Sequence, residues 1–234
     1  MKTAKLAAAI TVLAVAVTAL ALPAAAGSES GNFMVRVLGT VVAPDSSAKV
    51  SAGGAPIAGD AEASTEVIPA ATLSYFLTKN VAVELFCCFS KHEVDGKGAL
   101  AGLGEVADTW VFPPAVTLQY HFDGLGAFKP YVGAGFQYIY AFDEGVGDNA
   151  LGATGVKVDD AIGLTLQAGI DISMGGGWYL NADVKKTWIE HNVSWVGTGV
   201  TADLELDPWI VSAGLGYRFN LDDLFARQSE APLK

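Results

Sequence analysis

Side chains able to act as nucleophiles, general bases or metal ligands are thinly spread in this sequence. The three histidines, His92, His121 and His191, stand far apart, and no HExxH, GxSxG or CxxC spacing accompanies them. Cys87 and Cys88 are adjacent, so on an extended chain they face opposite ways and read as small apolar fillers, neither metal ligands nor a disulfide framework. Gly102-Leu103-Gly104 lacks the context of a phosphate cradle, and Asn192-Val193-Ser194 fits a glycosylation acceptor only formally. No catalytic residue, metal or cofactor is expected, and the chain reads as a non-enzyme. A membrane acyltransferase would need a histidine and a hydroxyl or acid converging at one rim, which neither His92 nor His191 supplies. The chemistry the spacing does offer is electrostatic. Arg36, Glu84, Asp171, Asp183, Lys185 and Arg218 are three charges of each sign, all on one parity of alternating segments. Buried together, they would have to pair.

The elements that must position these charges follow from composition. The 234-residue chain is 51% apolar and only 17% charged, with a mean hydropathy of +0.37. Residues 1–26 read as a secretory signal. Lys2 and Lys5 form a basic start, Leu6 to Leu22 carries no charge, and Ala24-Ala25-Ala26 is a small-residue cleavage site. The segment is followed directly by Gly27 and not by cysteine, so a lipid anchor is not expected. Its removal leaves 12 basic against 25 acidic residues, a net charge of −13, which argues against nucleic acid as a partner. After residue 26 no apolar run approaches the ~18 residues of a membrane helix. A membrane protein of this sequence must therefore be a closed barrel.

Alternation of period two runs through the exported chain. From 159 to 172, Ile162, Leu164, Leu166, Ala168, Ile170 and Ile172 oppose Ala161, Gly163, Thr165, Gln167, Gly169 and Asp171. Eight such segments are expected, at about 32–43, 65–77, 81–92, 106–122, 130–142, 158–173, 178–190 and 203–219. Each reaches the ~9–11 residues a tilted spanning strand needs. Short connections (78–80, 123–128, 174–177) alternate with long ones (44–64, 93–105, 143–157, 191–202), as tight periplasmic turns alternate with outer loops. With their flanks, over 44–65, 91–108, 143–160 and 190–207, the long connections hold 16 of the 25 acidic residues and 4 of the 14 basic ones. A soluble lipocalin-type barrel would alternate too, but here the polar parity is rich in glycine (Gly133, Gly135, Gly163, Gly169, Gly214, Gly216), which suits a narrow interior. The apolar parity carries aromatics near strand ends: Phe33, Phe122, Tyr138, Trp178, Trp188, Trp209 and Phe219. The expected fold is all-β: an eight-stranded antiparallel up-and-down transmembrane barrel over 27–219, in a bacterial outer membrane.

Three interior features have two readings each. The six charges are either a packed polar plug in the periplasmic half or a gate or ion path. Above them, Met34, Leu38, Ile68, Phe76, Phe86, Ile139 and Ile210 are either a lining for small hydrophobic molecules or a filled, rigid core. Pro113, Pro114 and Pro208, in or beside strands, either end those strands or breach the wall sideways, since proline cannot donate to the ladder.

Five stretches resemble the OmpW family of bacterial outer-membrane barrels: Gly31-Asn32-Phe33-Met34-Val35-Arg36, Asn80-Val81-Ala82-Val83-Glu84-Leu85, the run Phe112 to Tyr120, Lys129-Pro130-Tyr131-Val132-Gly133-Ala134-Gly135, and Leu206-Asp207-Pro208-Trp209 with Gly216-Tyr217-Arg218-Phe219. The resemblance spans 31–219. It implies an eight-stranded barrel with a hydrophobic lumen that passively binds or conducts small apolar compounds, releasing them sideways as in the related AlkL-type proteins. Met34, Arg36, Glu84 and Pro208 are the lining residues it carries over. Some members serve as bacteriocin or phage receptors, which keeps a structural or surface-receptor barrel with a filled core as the alternative. Outer-membrane lipid, lipopolysaccharide and small hydrophobic solutes are the expected partners of a monomer. Fifteen residues, Asn220 to Lys234, follow the final aromatic and are expected to form a short periplasmic tail.

Overall fold

The computed structural model describes residues 30–147 and 152–221. The signal segment 1–26 and all but the first two residues of the tail 220–234 lie outside the described residues. Eight strands form the barrel: β1 Phe33–Ala43, β2 Glu66–Phe76, β3 Val81–Cys88, β4 Ala115–His121, β5 Phe128–Val146, β6 Ala161–Gly175, β7 Trp178–Trp188 and β8 Trp209–Phe219. Each pairs antiparallel with the next. The ring closes where β8 pairs with β1 from Phe33↔Phe219 to Ala43↔Trp209. Closure gives every spanning strand two neighbours, which is what a backbone in lipid requires.

Alternation becomes sidedness. Ile162 is 68% exposed on the outer face, while Thr165 on the opposite parity of the same strand is wholly buried. Aromatic rings band the periplasmic rim. Phe33 meets Tyr75 at 5.0 Å and Phe219 at 6.0 Å, and Trp178 meets Tyr217 at 4.8 Å.

The outer connections differ from the loops expected of them. Two sheets continue the barrel outward. One joins strands Gly155–Val158, Glu190–Val196, Val200–Glu205, Ser47–Ala52 and Ala55–Pro56. The other joins Asp60–Ala63, Ser90–Lys97, Glu105–Phe112 and the outer end of β5. Their facing sides bury Val50, Val156, Val193, Trp195, Ala202 and Leu204 against Ala61, Val106 and Ala107, forming an apolar cap over the barrel mouth. The Trp195 indole N–H donates to the Val106 carbonyl at 3.0 Å, so its polar edge is satisfied within that core. The segments expected at 81–92 and 106–122 are each broken in two, at Phe89 and at Pro113–Pro114, because the prolines bring no N–H to the ladder.

Candidate functional site

The interior is built in layers, because each strand contributes an inward residue at every second position. At the periplasmic end, Met34, Phe76, Ala82 and Tyr179 pack together. The Arg218 guanidinium lies 3.6 Å from the centre of the Phe76 ring, and its Nε donates to the Gly31 carbonyl at 2.7 Å. His121 stacks on Tyr131 at 4.8 Å.

Above this layer lie five of the six charges. Arg36 holds Asp171 in two parallel bonds, Nε to Oδ1 at 3.0 Å and Nη2 to Oδ2 at 2.6 Å. Its Nη1 donates to Glu84 Oε2 and to Ser74 Oγ, both at 2.8 Å. Lys185 reaches Asp183 Oδ1 at 2.6 Å and Glu84 Oε1 at 3.3 Å. Gln167 ties the two acids together, its amide donating to Glu84 at 2.9 Å and to Asp183 at 2.7 Å. It accepts in turn from Thr117 at 2.8 Å and Gln119 at 3.1 Å. Tyr131 donates to Asp183 at 2.8 Å, and Asn181 to Asp171 at 2.9 Å. All five charged groups are almost completely buried. Such ions persist only when their hydrogen-bonding capacity is met, as here. Arg218 stands apart from this network, on its periplasmic side.

The apolar residues fall on both sides of the charges. Met34 and Phe76 lie below them, not above as expected. Leu38, Phe86 and Ile210 lie above, clustered with Val42, Ala70, Cys88 and Ala115, and Ile68 packs against that cluster. The Lys185 ammonium sits 4.8 Å from the Phe86 ring centre, where the two layers meet.

Between this apolar layer and the outer cap is a cavity of about 80 Å³. Val42, Cys88, Ile139 and Ile210 line it from below, and Ala107, Val193, Trp195 and Leu204 from above. Pro44, Pro113 and Pro208 stand in its sides. Ser90, His92, Thr109, Gln137 and His191 also border it, but the surface it presents is apolar, which favours an apolar occupant.

The wall beside the cavity is not uniform. On the Pro208 side the Thr187 N–H donates to the Pro208 carbonyl at 3.2 Å and the Asp45 N–H to the Leu206 carbonyl at 2.9 Å. On the β5 side the Tyr138 N–H donates to the Pro114 carbonyl at 2.9 Å. Between β3 and β4 the ladder stops at Phe86↔Ala115 and resumes in the same register at Ser90↔Val111. Among the described residues no main-chain hydrogen bond crosses from 87–89 to 112–114. That stretch is a seam, opening level with Cys88, Ser90, Val111 and Pro113 of the cavity.

Two histidines border the cavity beyond the spanning strands. His92 Nδ1 faces the Ser64 carbonyl at 3.0 Å and His191 Nδ1 the Asp159 carbonyl at 2.9 Å. Carbonyls only accept, so both rings carry their proton on Nδ1. Burial pushes both below the ordinary histidine range, with Glu66 and Asp160 pulling weakly the other way. Lowered folded-state values mean that the opened cap takes up protons first as pH falls. The cap is therefore fully stable above about pH 6.5, the unperturbed histidine value, and weakens below it. Hydrogen exchange across 90–97 and 190–196, corrected for intrinsic rate, is expected to speed up from pH 7.5 to 5. That acceleration should shrink in a His92→Leu/His191→Leu variant.

Sequence reasoning missed the neutral partners Gln119, Gln167, Tyr131 and Asn181, and the cavity residues supplied by the outer strands. Among the described residues, no group of three or more histidine, cysteine or acidic side chains is arranged to hold a metal.

Residues 29–219 match the model of the OmpW family. Outer membrane protein W of Vibrio cholerae is 34% identical over 82% of this chain and 90% of its own length. Outer membrane protein AlkL of Ectopseudomonas oleovorans is 32% identical over 63% of this chain and 64% of its own. The crystal structure of OprG from Pseudomonas aeruginosa, 30% identical, superposes with a TM-score of 0.76 over 83% of this chain and 98% of that one. A closed barrel with a lipid-facing apolar surface, matched from its first strand to its last, places this chain in the OmpW family of outer-membrane proteins.

Proposed function

We propose that this barrel is a passive, monomeric conduit that takes small apolar molecules into the cavity beneath its outer cap and releases them sideways, through the seam between β3 and β4, into the surrounding lipid. The observation that carries this reading is a cavity with an apolar inner surface, resting on a closed floor of ion pairs and flanked between β3 and β4 by a seam without main-chain bonds, whereas the gap beside Pro44 is bridged by the Ala63 N–H donating to Ser46 Oγ at 3.2 Å. An apolar solute gains nothing by crossing paired charges, whereas the seam leads directly to hydrocarbon. Leu38, Ile68, Phe86, Ile139 and Ile210 form or back the cavity, Arg36, Glu84, Asp171, Asp183 and Lys185 seal it below, and Pro113 and Pro114 keep the seam unbonded. Pro208 stands in a wall that hydrogen bonds hold shut, so the exit is assigned to the other two prolines. The acidic outer faces are read as the contact with lipopolysaccharide.

Flux of a hydrophobic probe into vesicles whose outer leaflet contains lipopolysaccharide tests this reading. Ile210→Arg places a charge in the cavity wall and is expected to cut protein-dependent flux at least about tenfold. Phe86→Arg adds a cation beside Lys185 and should do the same. Retained flux in variants that still migrate as folded barrels would favour a structural or receptor role with a non-conducting core.

A further inference from the structure

The seam is fastened from outside by two aromatic rings. Phe89 and Phe112 face each other in the continuing register, with ring centroids 4.9 Å apart and planes inclined by 25°. Phe89 is 56% exposed, on the lipid side, whereas its neighbours Cys88 and Ser90 line the cavity. The strands are side by side here, yet no main-chain bond holds them. Cohesion across the seam therefore comes from ring stacking.

We propose that Phe89 and Phe112 form a selective gate that passes flat aromatic solutes faster than saturated molecules of the same size; the inference rests on sideways exit through this seam. Leaving the cavity requires the rings to part. A saturated solute disrupts their stacking and offers only dispersion in return. An aromatic solute lies against one ring and then the other, restoring the offset or edge-to-face geometry that the pair gives up. The energy of one such contact corresponds to a rate ratio of roughly three- to tenfold.

Ethylbenzene and ethylcyclohexane, supplied in competition to vesicles with a lipopolysaccharide outer leaflet, are the probes. Protein-dependent initial rates are followed by gas chromatography. The unmodified barrel is expected to favour ethylbenzene roughly three- to tenfold, and Phe89→Leu/Phe112→Leu, which keeps the seam apolar, to bring the ratio close to one. Phe112→Leu alone, used if the pair does not fold, should lower the ratio in the same direction. A ratio near one in the unmodified barrel, or one that survives the leucines, overturns the gate. Phe89→Cys/Phe112→Cys, in a Cys87→Ser/Cys88→Ala background, separates that failure from failure of the exit itself. An in-register pair is within disulfide reach, and oxidation should stop both probes until reductant is added. Equal rates before and after reduction would overturn sideways exit here, and the gate with it.

Discussion

Replacing Arg36 with methionine is expected to lower the unfolding free energy of the barrel by about 3–5 kcal/mol, the range seen when one partner of a buried ion pair is removed. Methionine fills most of the space but leaves the acids. Asp171 keeps only the Asn181 amide, at 2.9 Å, of the contacts that hold its charge. Glu84 is better protected, because Lys185 and Gln167 still reach its other oxygen at 3.3 and 2.9 Å. The loss therefore concentrates at Asp171. Adding Asp171→Asn to Arg36→Met should recover about 0.5–3 kcal/mol, the usual coupling between residues in one network. Urea unfolding of refolded protein in detergent micelles, followed by gel mobility, reads both numbers. A loss under about 1 kcal/mol would mean that water already solvates these groups, as at an exposed pair. The floor would then be wet, and the barrel a polar pore.

The same layer shows what the sequence could and could not reveal. Lipid demands carbon on every second residue of a spanning strand, so the run Ile162 to Ile172 announces both strand and face. Parity alone puts Arg36, Glu84, Asp171, Asp183 and Lys185 inside. Height needs strand direction as well. Met34 precedes Arg36 on a strand that starts at the periplasm, and Phe76 follows Ser74 on one that returns there, so both lie below the charges. Neutral side chains gave less warning. Gln167 braces Glu84 across a separation of 83 residues, and an amide carries no charge to suggest its partner. The outer sheets were hidden by composition. Glu93, Asp95, Asp203 and Glu205 face water and give these strands the polarity of loops, while Val193, Trp195, Ala202 and Leu204 keep a buried alternation within them. That continuation places His92 and His191 beside the cavity, and it supplies the roof without which the lumen would hold no cavity.

Gly135→Val is expected to prevent the barrel from reaching its compact folded form. Gly135 lies on the inward face of β5, opposite Thr117 and Thr165 on its two neighbours. A side chain there would overlap the Val116 carbonyl and come within 2.7 Å of the Thr117 Cα. Both obstacles are backbone, held by ladders on either side, so no change of rotamer relieves the clash. The expected destabilisation is about 3 kcal/mol or more, at the upper end for overpacking. Gly214 repeats the arrangement on β8, where a Cβ would overlap the Val37 carbonyl and approach the Leu38 Cα to 2.9 Å. Gly133 is the control. Its nearest obstacles are the Gln167 Oε1 at 3.1 Å, the Gln119 side chain at 3.2 Å and the Leu118 carbonyl at 3.2 Å, which can give by a few tenths of an ångström. Gly133→Ala should therefore fold, with a loss of roughly 1 kcal/mol from strain on the glutamines that brace the ion pairs. Gel mobility with and without heating, on protein refolded into micelles, separates the outcomes. If Gly135→Val folds as well as Gly133→Ala, the strands do not approach so closely. The narrow bore that brings Arg36 within reach of both Asp171 and Glu84 would then have to be wider, and the sealed floor would open with it.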